Sequence, residues 1–205
     1  MPESASKTAL VLLAAGSSSR MGCPKQLLSF RGQPLLRHAA ETALEAGCSP
    51  VVVVLGANSE PLRSVLDGLP VDIRVNARWA EGMGTSIQTG LRALDRATVR
   101  GAILALADQP LVDAGFLRRL AYLHRLSGKP IIAARYAGTA GVPVFFARDR
   151  FPLLDALPAR QGCKGVILGH PDDAMLVDCP EAEIDIDTPD DYAAAVATPS
   201  GGFRL

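Results

Sequence analysis

TALVLLAAGSSSRMGCPK, residues 8–25, is the stretch whose reading decides the fold. It opens as a continuous aliphatic run, Thr8 to Leu13, with no polar residue alternating into it. That is the pattern of a strand covered on both faces, which parallel sheets produce and half-solvated antiparallel sheets do not. The run then empties into a loop of small residues ending in a cation. Similar runs recur at Val51 to Leu55, Val71 to Val75, Ala102 to Ala107 and Pro130 to Ala134. The segments between them predict helices at Pro34 to Ala46, Ser59 to Leu66, Thr85 to Leu94 and Ala114 to Ser127, the last with Asp113 as N-cap. Strands alternating with helices mean βαβ units and a mostly parallel α/β sheet, with helices on both faces. Beyond residue 135 the pattern loosens. Val142 to Phe146 reads as a further strand, Arg148 to Leu157 and Lys164 to Leu168 as short helices and Pro189 to Val196 as a closing helix, a last third expected to cover the open face of the sheet.

With 205 residues and 48% hydrophobic composition, the chain can bury a substantial core as a single domain, residues 1–205. Residues 1–7 and 198–205 are expected to be flexible tails. Twenty-one basic residues balance twenty-one acidic ones with no long run of either sign, so neither nucleic acid nor a membrane surface is an expected partner. No apolar stretch is long enough to span a bilayer and no basic segment precedes Thr8, so a cytoplasmic location is expected. Cys23, Cys48, Cys163 and Cys179 lack paired spacing and read as reduced thiols. The three histidines, His38, His124 and His170, show no metal or triad spacing, and Gly-x-Ser-x-Gly is absent, which disfavours zinc or serine hydrolysis.

In an open α/β sheet, ligands gather beyond the carboxyl ends of the strands. Leu13-Ala14-Ala15-Gly16 and the serines after it let backbone N–H groups approach an anion, and Arg20 and Lys25 add charge. The glycine spacing is that of neither a Walker A loop nor a dinucleotide fingerprint. A soluble turn is the alternative, but two cations within six positions of a buried strand end favour binding. Ala107-Asp108-Gln109-Pro110 places a carboxylate after the fourth strand; by itself it reads equally as a turn-forming Asp. In Glu183-Ile184-Asp185-Ile186-Asp187, alternation would put the three acids on one face of an extended segment. Asp108 and Asp187 can together hold one Mg²⁺, which takes one or two carboxylates plus phosphate and water oxygens; Asp187 also suits an N-cap before Thr188-Pro189. Trp79 to Leu91 is a glycine-broken loop entering a helix, where Gly84 and Ser86 can meet a base edge, with N-capping by Thr85 or Ser86 as the alternative.

These blocks resemble, in order and over nearly the whole chain, the MobA-like nucleotidyltransferases, most closely the molybdenum cofactor cytidylyltransferase branch. The matching motifs are Leu13 to Gly16, Ser19-Arg20-Met21-Gly22, Pro24-Lys25-Gln26-Leu27-Leu28, Gly84 to Leu91, Ala107 to Pro110 and Asp185 to Pro189. The resemblance implies a Rossmann-like sheet of the nucleotide-diphospho-sugar transferase type. It implies transfer of a nucleoside monophosphate, CMP from CTP, to a phosphorylated acceptor, molybdopterin, with pyrophosphate released and Mg²⁺ as cofactor. Under it, Leu13, Ala14, Ala15, Gly16, Gly84 and Ser86 line the nucleotide site, Arg20 and Lys25 hold the triphosphate, and Asp108 and Asp187 bind the metal. Transient contact with a molybdoenzyme or its maturation factor follows from the same resemblance.

Two departures fall on the acceptor side, where Gly141, Pro143, Gly162 and Lys164 are the expected contacts. Gly141-Val142-Pro143 stands where the branch has Gly-His-Pro, and Gly162-Cys163-Lys164 where it has Gly-x-Arg. Lysine keeps arginine's charge but not its bidentate fork. The competing functions are transfer to a sugar, polyol or other small phosphate, and noncatalytic binding and delivery of a nucleotide or pterin cofactor. Ala15, where guanylyl-transferring relatives carry glycine, favours the smaller pyrimidine base over a purine.

Overall fold

The computed structural model describes residues 7–19 and 21–198. The expected tails at 1–6 and 199–205, and Arg20, lie outside the described residues. Lys7, assigned to the leading tail, instead begins the first strand.

Among the described residues the strands are β1 (Lys7–Ala14), β2 (Ser29–Phe30), β3 (Gln33–Pro34), β4 (Val51–Leu55), β5 (Asp72–Val75), β6 (Val99–Leu106), β7 (Ile131–Tyr136), β8 (Thr139–Ala147) and β9 (Ala174–Asp178). The helices are α1 (Leu35–Glu45), α2 (Ser59–Ser64), α3 (Met83–Arg92), α4 (Ala114–Ser127), α5 (Phe151–Asp155), α6 (Lys164–Gly169) and α7 (Pro189–Ala197). Seven strands form one sheet in the order β5-β4-β1-β6-β8-β7-β9, while β2 and β3 make a separate small hairpin. All pairings in the large sheet are parallel except the two made by β8, which is antiparallel to β6 and to β7.

Period-two geometry divides β1 between two cores. Leu10, Leu12 and Ala14 face a layer that holds Leu36 and Ala40 of α1, Leu62 of α2 and Phe116 and Leu120 of α4. Ala9, Val11 and Leu13 face a second layer with Ile87 and Leu91 of α3, Phe151 and Leu154 of α5 and Ile167 of α6. Helices therefore cover both faces, which is why β1 and β4 read as unbroken apolar runs. α3 lies so close on the sheet that a Cβ on Gly90 would collide with the Val11 side chain. Local signals set several ends. Asp113 Oδ1 accepts from Phe116 N at 2.7 Å to start α4, and Gly128, with φ of 70°, closes it in the left-handed region.

Four readings are corrected. β5 is an edge strand, and Arg74 and Val75 are exposed rather than buried on both faces. The last third does not simply cover the sheet: it inserts β8 between β6 and β7 and adds β9 at the far edge. Glu183 ends a 3-10 turn, Pro180–Glu183, and is exposed, so the alternation proposed for Glu183, Asp185 and Asp187 fails at its first member. The cap of α7 is Thr188 in a capping box with Asp191, not Asp187.

From β1 the chain crosses to β4 on one side and later reaches β6 on the other. The carboxyl ends of β1 and β6 thus flank the point where strand order reverses, the place where open α/β sheets form a ligand crevice.

Candidate active site

A cleft of about 270 Å³ opens at that point. It is lined by the β1 end and its loop, Leu13, Ala14, Ala15, Gly16 and Ser18; by Trp79, Gly82, Met83 and Ser86; and by Lys25, Gln26 and Leu106 to Asp108.

The loop after β1 is shaped by Gln26, which is 4% exposed. Its Nε2 donates to the carbonyl oxygens of Ala14 and Gly16 at 3.1 and 3.0 Å, and its Oε1 accepts from Ser18 Oγ at 3.2 Å. Ser18 sits at φ of 56° and its Oγ accepts from Lys25 N at 3.1 Å, so the bend of the loop and the position of Lys25 are tied together. Gly56, just after β4, lets Ala15 and Trp79 approach: a Cβ there would lie 2.6 Å from Trp79 Cβ and 2.7 Å from the Ala15 carbonyl oxygen.

Lys25 opens a 3-10 turn, Lys25–Leu27, after Pro24. Its Nζ lies 2.6 Å from Asp108 Oδ2 and 2.8 Å from Asp187 Oδ1, bridging carboxylates from distant parts of the chain. Asp187 is carried to this place by the segment before α7, where Ile186 N donates to the Asp108 carbonyl oxygen at 3.0 Å. Burial pulls the Lys25 ammonium pKa down, but the adjoining Asp108 and then Asp187 outweigh it, leaving Lys25 above its usual value. Asp185 lies in the same cluster; burial first, then the Asp108 charge, pushes its carboxyl up to about 6.

Asp108 Oδ1 is buried and makes no hydrogen bond among the described residues. A buried, orphaned carboxylate oxygen beside a second carboxylate suits a hard divalent cation, so the residues present fit Mg²⁺. Lys25 already supplies positive charge to the same pair.

The structure brings Leu13, Ala14, Ala15, Gly16, Lys25, Ser86 and Asp108 to the cleft, with Asp187 joined through Lys25. Gly84 lies behind it: its N–H donates to the Ala159 carbonyl oxygen at 2.9 Å, and a Cβ there would collide with the Pro158 carbonyl. Neither Thr85 nor Ser86 caps α3, which starts earlier, at Met83 after Gly82. Of the expected acceptor contacts, Gly162 packs close to Met83 of the cleft wall and Gly141 lies under the Tyr136 hydroxyl. Pro143 lines a small cavity of about 20 Å³ with Leu10, His38 and Gln109, and Lys164 is exposed at the start of α6.

Gln26, Gly56 and Asn76 were missed as site residues. Asn76 is 3% exposed, and its Nδ2 donates to Thr85 Oγ1 at 2.8 Å and to Ser86 Oγ at 2.9 Å. The signal available for Gly56 was its place directly after a buried strand; buried amides such as Gln26 and Asn76 leave no periodicity to read.

A small-residue loop, a bridging lysine and paired carboxylates at the reversal point of a mostly parallel sheet define a nucleotidyltransferase-type α/β protein. Comparison with known proteins makes this specific: residues 10–174 match the model of the MobA-like NTP transferase domain, and the chain belongs to that nucleotidyltransferase family. The chain is similar to purine catabolism protein PucB of Bacillus subtilis, 28% identical over 196 residues and covering 89% of this chain and 92% of that one. It is also similar to nicotine blue oxidoreductase of Paenarthrobacter nicotinovorans, 43% identical over 116 residues; the match spans only 56% of each chain. Among solved structures, Rv0371c of Mycobacterium tuberculosis superposes with a TM-score of 0.79 at 32% identity, covering 95% of this chain and 100% of that one. Rv0371c has also been solved in complex with manganese, at a TM-score of 0.72 and 30% identity to this chain.

Proposed function

We propose that the protein transfers CMP from CTP to the phosphate of a small-molecule acceptor, molybdopterin, and releases pyrophosphate, with Mg²⁺ held by Asp108 and Asp187. The observation that carries this reading is the Lys25 bridge between those two carboxylates beside the cleft, 2.6 and 2.8 Å long. In the reaction an ionised oxygen of the acceptor phosphate attacks the α-phosphorus of the nucleotide in line. The new Pα–O bond forms as the bond to the bridging oxygen of the β-phosphate breaks, and the electron pair leaves on pyrophosphate. The attacking oxygen carries no proton at neutral pH, so a general base is not needed. What the chain contributes is positioning and charge. Lys25 meets the triphosphate and balances charge on the departing pyrophosphate, together with Arg20; the loop from Leu13 to Gly16 and Ser86 hold the base. Asp108 and Asp187 would hold Mg²⁺, which would supply charge neutralisation to the phosphates when bound.

Ala15 supports CTP over GTP, because its methyl group narrows a slot that a one-ring base tolerates better than a two-ring base. The test is a screen of the four NTPs against phosphorylated acceptors, reduced molybdopterin included, read by pyrophosphate release. CTP with molybdopterin is the expected pair. Equal use of GTP overturns the slot argument, a sugar or polyol phosphate as best acceptor overturns the pterin, and nucleotide binding without turnover identifies a delivery protein. The 43% identity with nicotine blue oxidoreductase favours a second reading, redox chemistry in the same cleft. Oxidation of a reduced dinucleotide without pyrophosphate release would support it.

A further inference from the structure

Asn76 follows β5 and is held there by its own N–H, which donates to the Leu55 carbonyl oxygen at 2.7 Å. Its side chain is buried, and so are Thr85 and Ser86 on the first turn of α3. The directions of the hydrogen bonds among these three follow from groups that have only one role. The backbone N–H of Arg78 can only donate, and it lies 2.9 Å from Asn76 Oδ1, so that end of the amide is the oxygen. The other end is therefore Nδ2, donating to Thr85 Oγ1 and Ser86 Oγ. Thr85 Oγ1 lies 2.8 Å from the Gly82 carbonyl oxygen and 3.0 Å from that of Arg78, and carbonyls only accept. Thr85 commits its hydrogen to them. Ser86 Oγ, in contrast, receives a hydrogen from Asn76 and has no acceptor for its own among the described hydrogen bonds. Ser86 is only 4% exposed, yet it lines the cleft. A buried hydroxyl hydrogen with one open direction takes its acceptor from whatever fills that space.

We infer that Asn76 is a positioning residue which fixes the Ser86 hydroxyl as a hydrogen-bond donor, so that the slot selects cytosine over uracil. The inference rests on the nucleotide-transfer reading of the same cleft. With the triphosphate drawn toward Lys25 and Asp108, the ring edge remote from the sugar points away from them and toward the lining that holds Ser86, and that edge carries N3. Cytosine presents a bare acceptor at N3, which a fixed donor satisfies. Uracil carries a hydrogen there, so two hydrogens face each other and both groups lose their partners, a mismatch that binding sites built on hydrogen bonds reject strongly. Size separates neither base from the other; polarity does.

Asn76→Asp tests this with almost no change in shape. A carboxylate still accepts from Arg78 N but cannot donate, so Ser86 turns its hydrogen toward residue 76 and offers a lone pair to the cleft. Affinities for CTP and UTP with Mg²⁺, measured by titration calorimetry, should show the CTP:UTP ratio falling by about tenfold or more, with UTP binding kept or improved. Should the buried charge unfold the protein, Ser86→Ala carries the test: CTP affinity should fall about tenfold while UTP affinity barely moves. An unchanged ratio in folded Asn76→Asp, or equal loss of both nucleotides in Ser86→Ala, overturns the inference and leaves Asn76 a packing residue. A wild-type protein that binds CTP and UTP equally also overturns it, whatever the pyrophosphate assay shows. Failure of that assay with every acceptor would instead remove the transfer reading while the binding ratio still decides the polarity of the slot.

Discussion

The Lys25 ammonium serves two carboxylates at once, and each of the three side chains does something the others cannot. Asp108 and Asp187 supply anionic oxygen, so Asp108→Asn or Asp187→Asn should leave the melting temperature within a few degrees and reduce turnover by about 100-fold or more at limiting Mg²⁺, by pyrophosphate release. Near-normal rates would remove the metal assignment. Under the proposed reaction Lys25 meets phosphate charge common to every nucleotide, so Lys25→Ala should lower kcat by about 100-fold while leaving the CTP:GTP ratio unchanged, read in a competition assay. These residues were legible because each follows or faces the end of a buried strand, where chemistry-bearing side chains stand out against aliphatic ones. Gln26 and Asn76 were not, because an amide acts through the direction of its two ends, which only the positions of its neighbours reveal.

Among the elements, α3 and α1 show how packing serves the cleft. α3 carries Ser86 and lies against β1 through Gly90, where an added methyl group would meet Val11 and Val54. Gly90→Ala should therefore destabilise the protein by about 1–3 kcal/mol in denaturant unfolding, although alanine is the better helix former. α1 is linked to the chain beyond Asp108 through His38, whose Nε2 lies 3.2 Å from the Pro110 carbonyl oxygen. Burial, more than the nearby Arg31, holds the His38 pKa below 6.5 despite that bond and Glu41. A depressed histidine is neutral in the fold while the unfolded chain takes up the proton first, so the His38 contribution to stability should decline as pH falls below about 6.5, by no more than about 1.4 kcal/mol per pH unit, against the opposite contribution of Asp185, whose raised carboxyl takes up its proton first in the fold. His38→Gln should remove that decline, so that its stability rises relative to the wild type as pH is lowered from about 7.5 to about 5.5 in unfolding measurements. Element prediction succeeded where one signal dominated: Val51–Leu55 is wholly buried, and Ala114–Ser127 has a cap at each end. It failed at Ala174–Asp178, an edge strand of mixed exposure, and at the start of α3, which the loop at Gly82 sets rather than a capping hydroxyl.

On the scale of the whole molecule, the alternation of strands and helices foretold a mostly parallel sheet covered on both faces, and Val142 to Phe146 as a strand within β8, but not the antiparallel direction of β8, because the direction of a buried strand leaves no mark in its composition. Binding at the crevice between β1 and β6 acts on the entire fold. CTP with Mg²⁺ at 100 times its dissociation constant should add about 2.7 kcal/mol and raise the melting temperature by about 5–10 °C. Mg²⁺ alone should raise it far less, since Lys25 already offsets part of the charge of the carboxylate pair; an equal rise with the ion alone would show that the bridge does not compete with it. A cation on a tether also differs from a dissolved one in that it cannot diffuse away. Under the proposed reaction, an ammonium drawn to the triphosphate would return to the carboxylates once pyrophosphate leaves, so the site would restore its own electrical balance between turnovers. The expected order of events follows from this: metal and nucleotide should enter together as one complex, and the velocity, measured with Mg²⁺ varied at fixed CTP, should track the concentration of that complex rather than of the free ion.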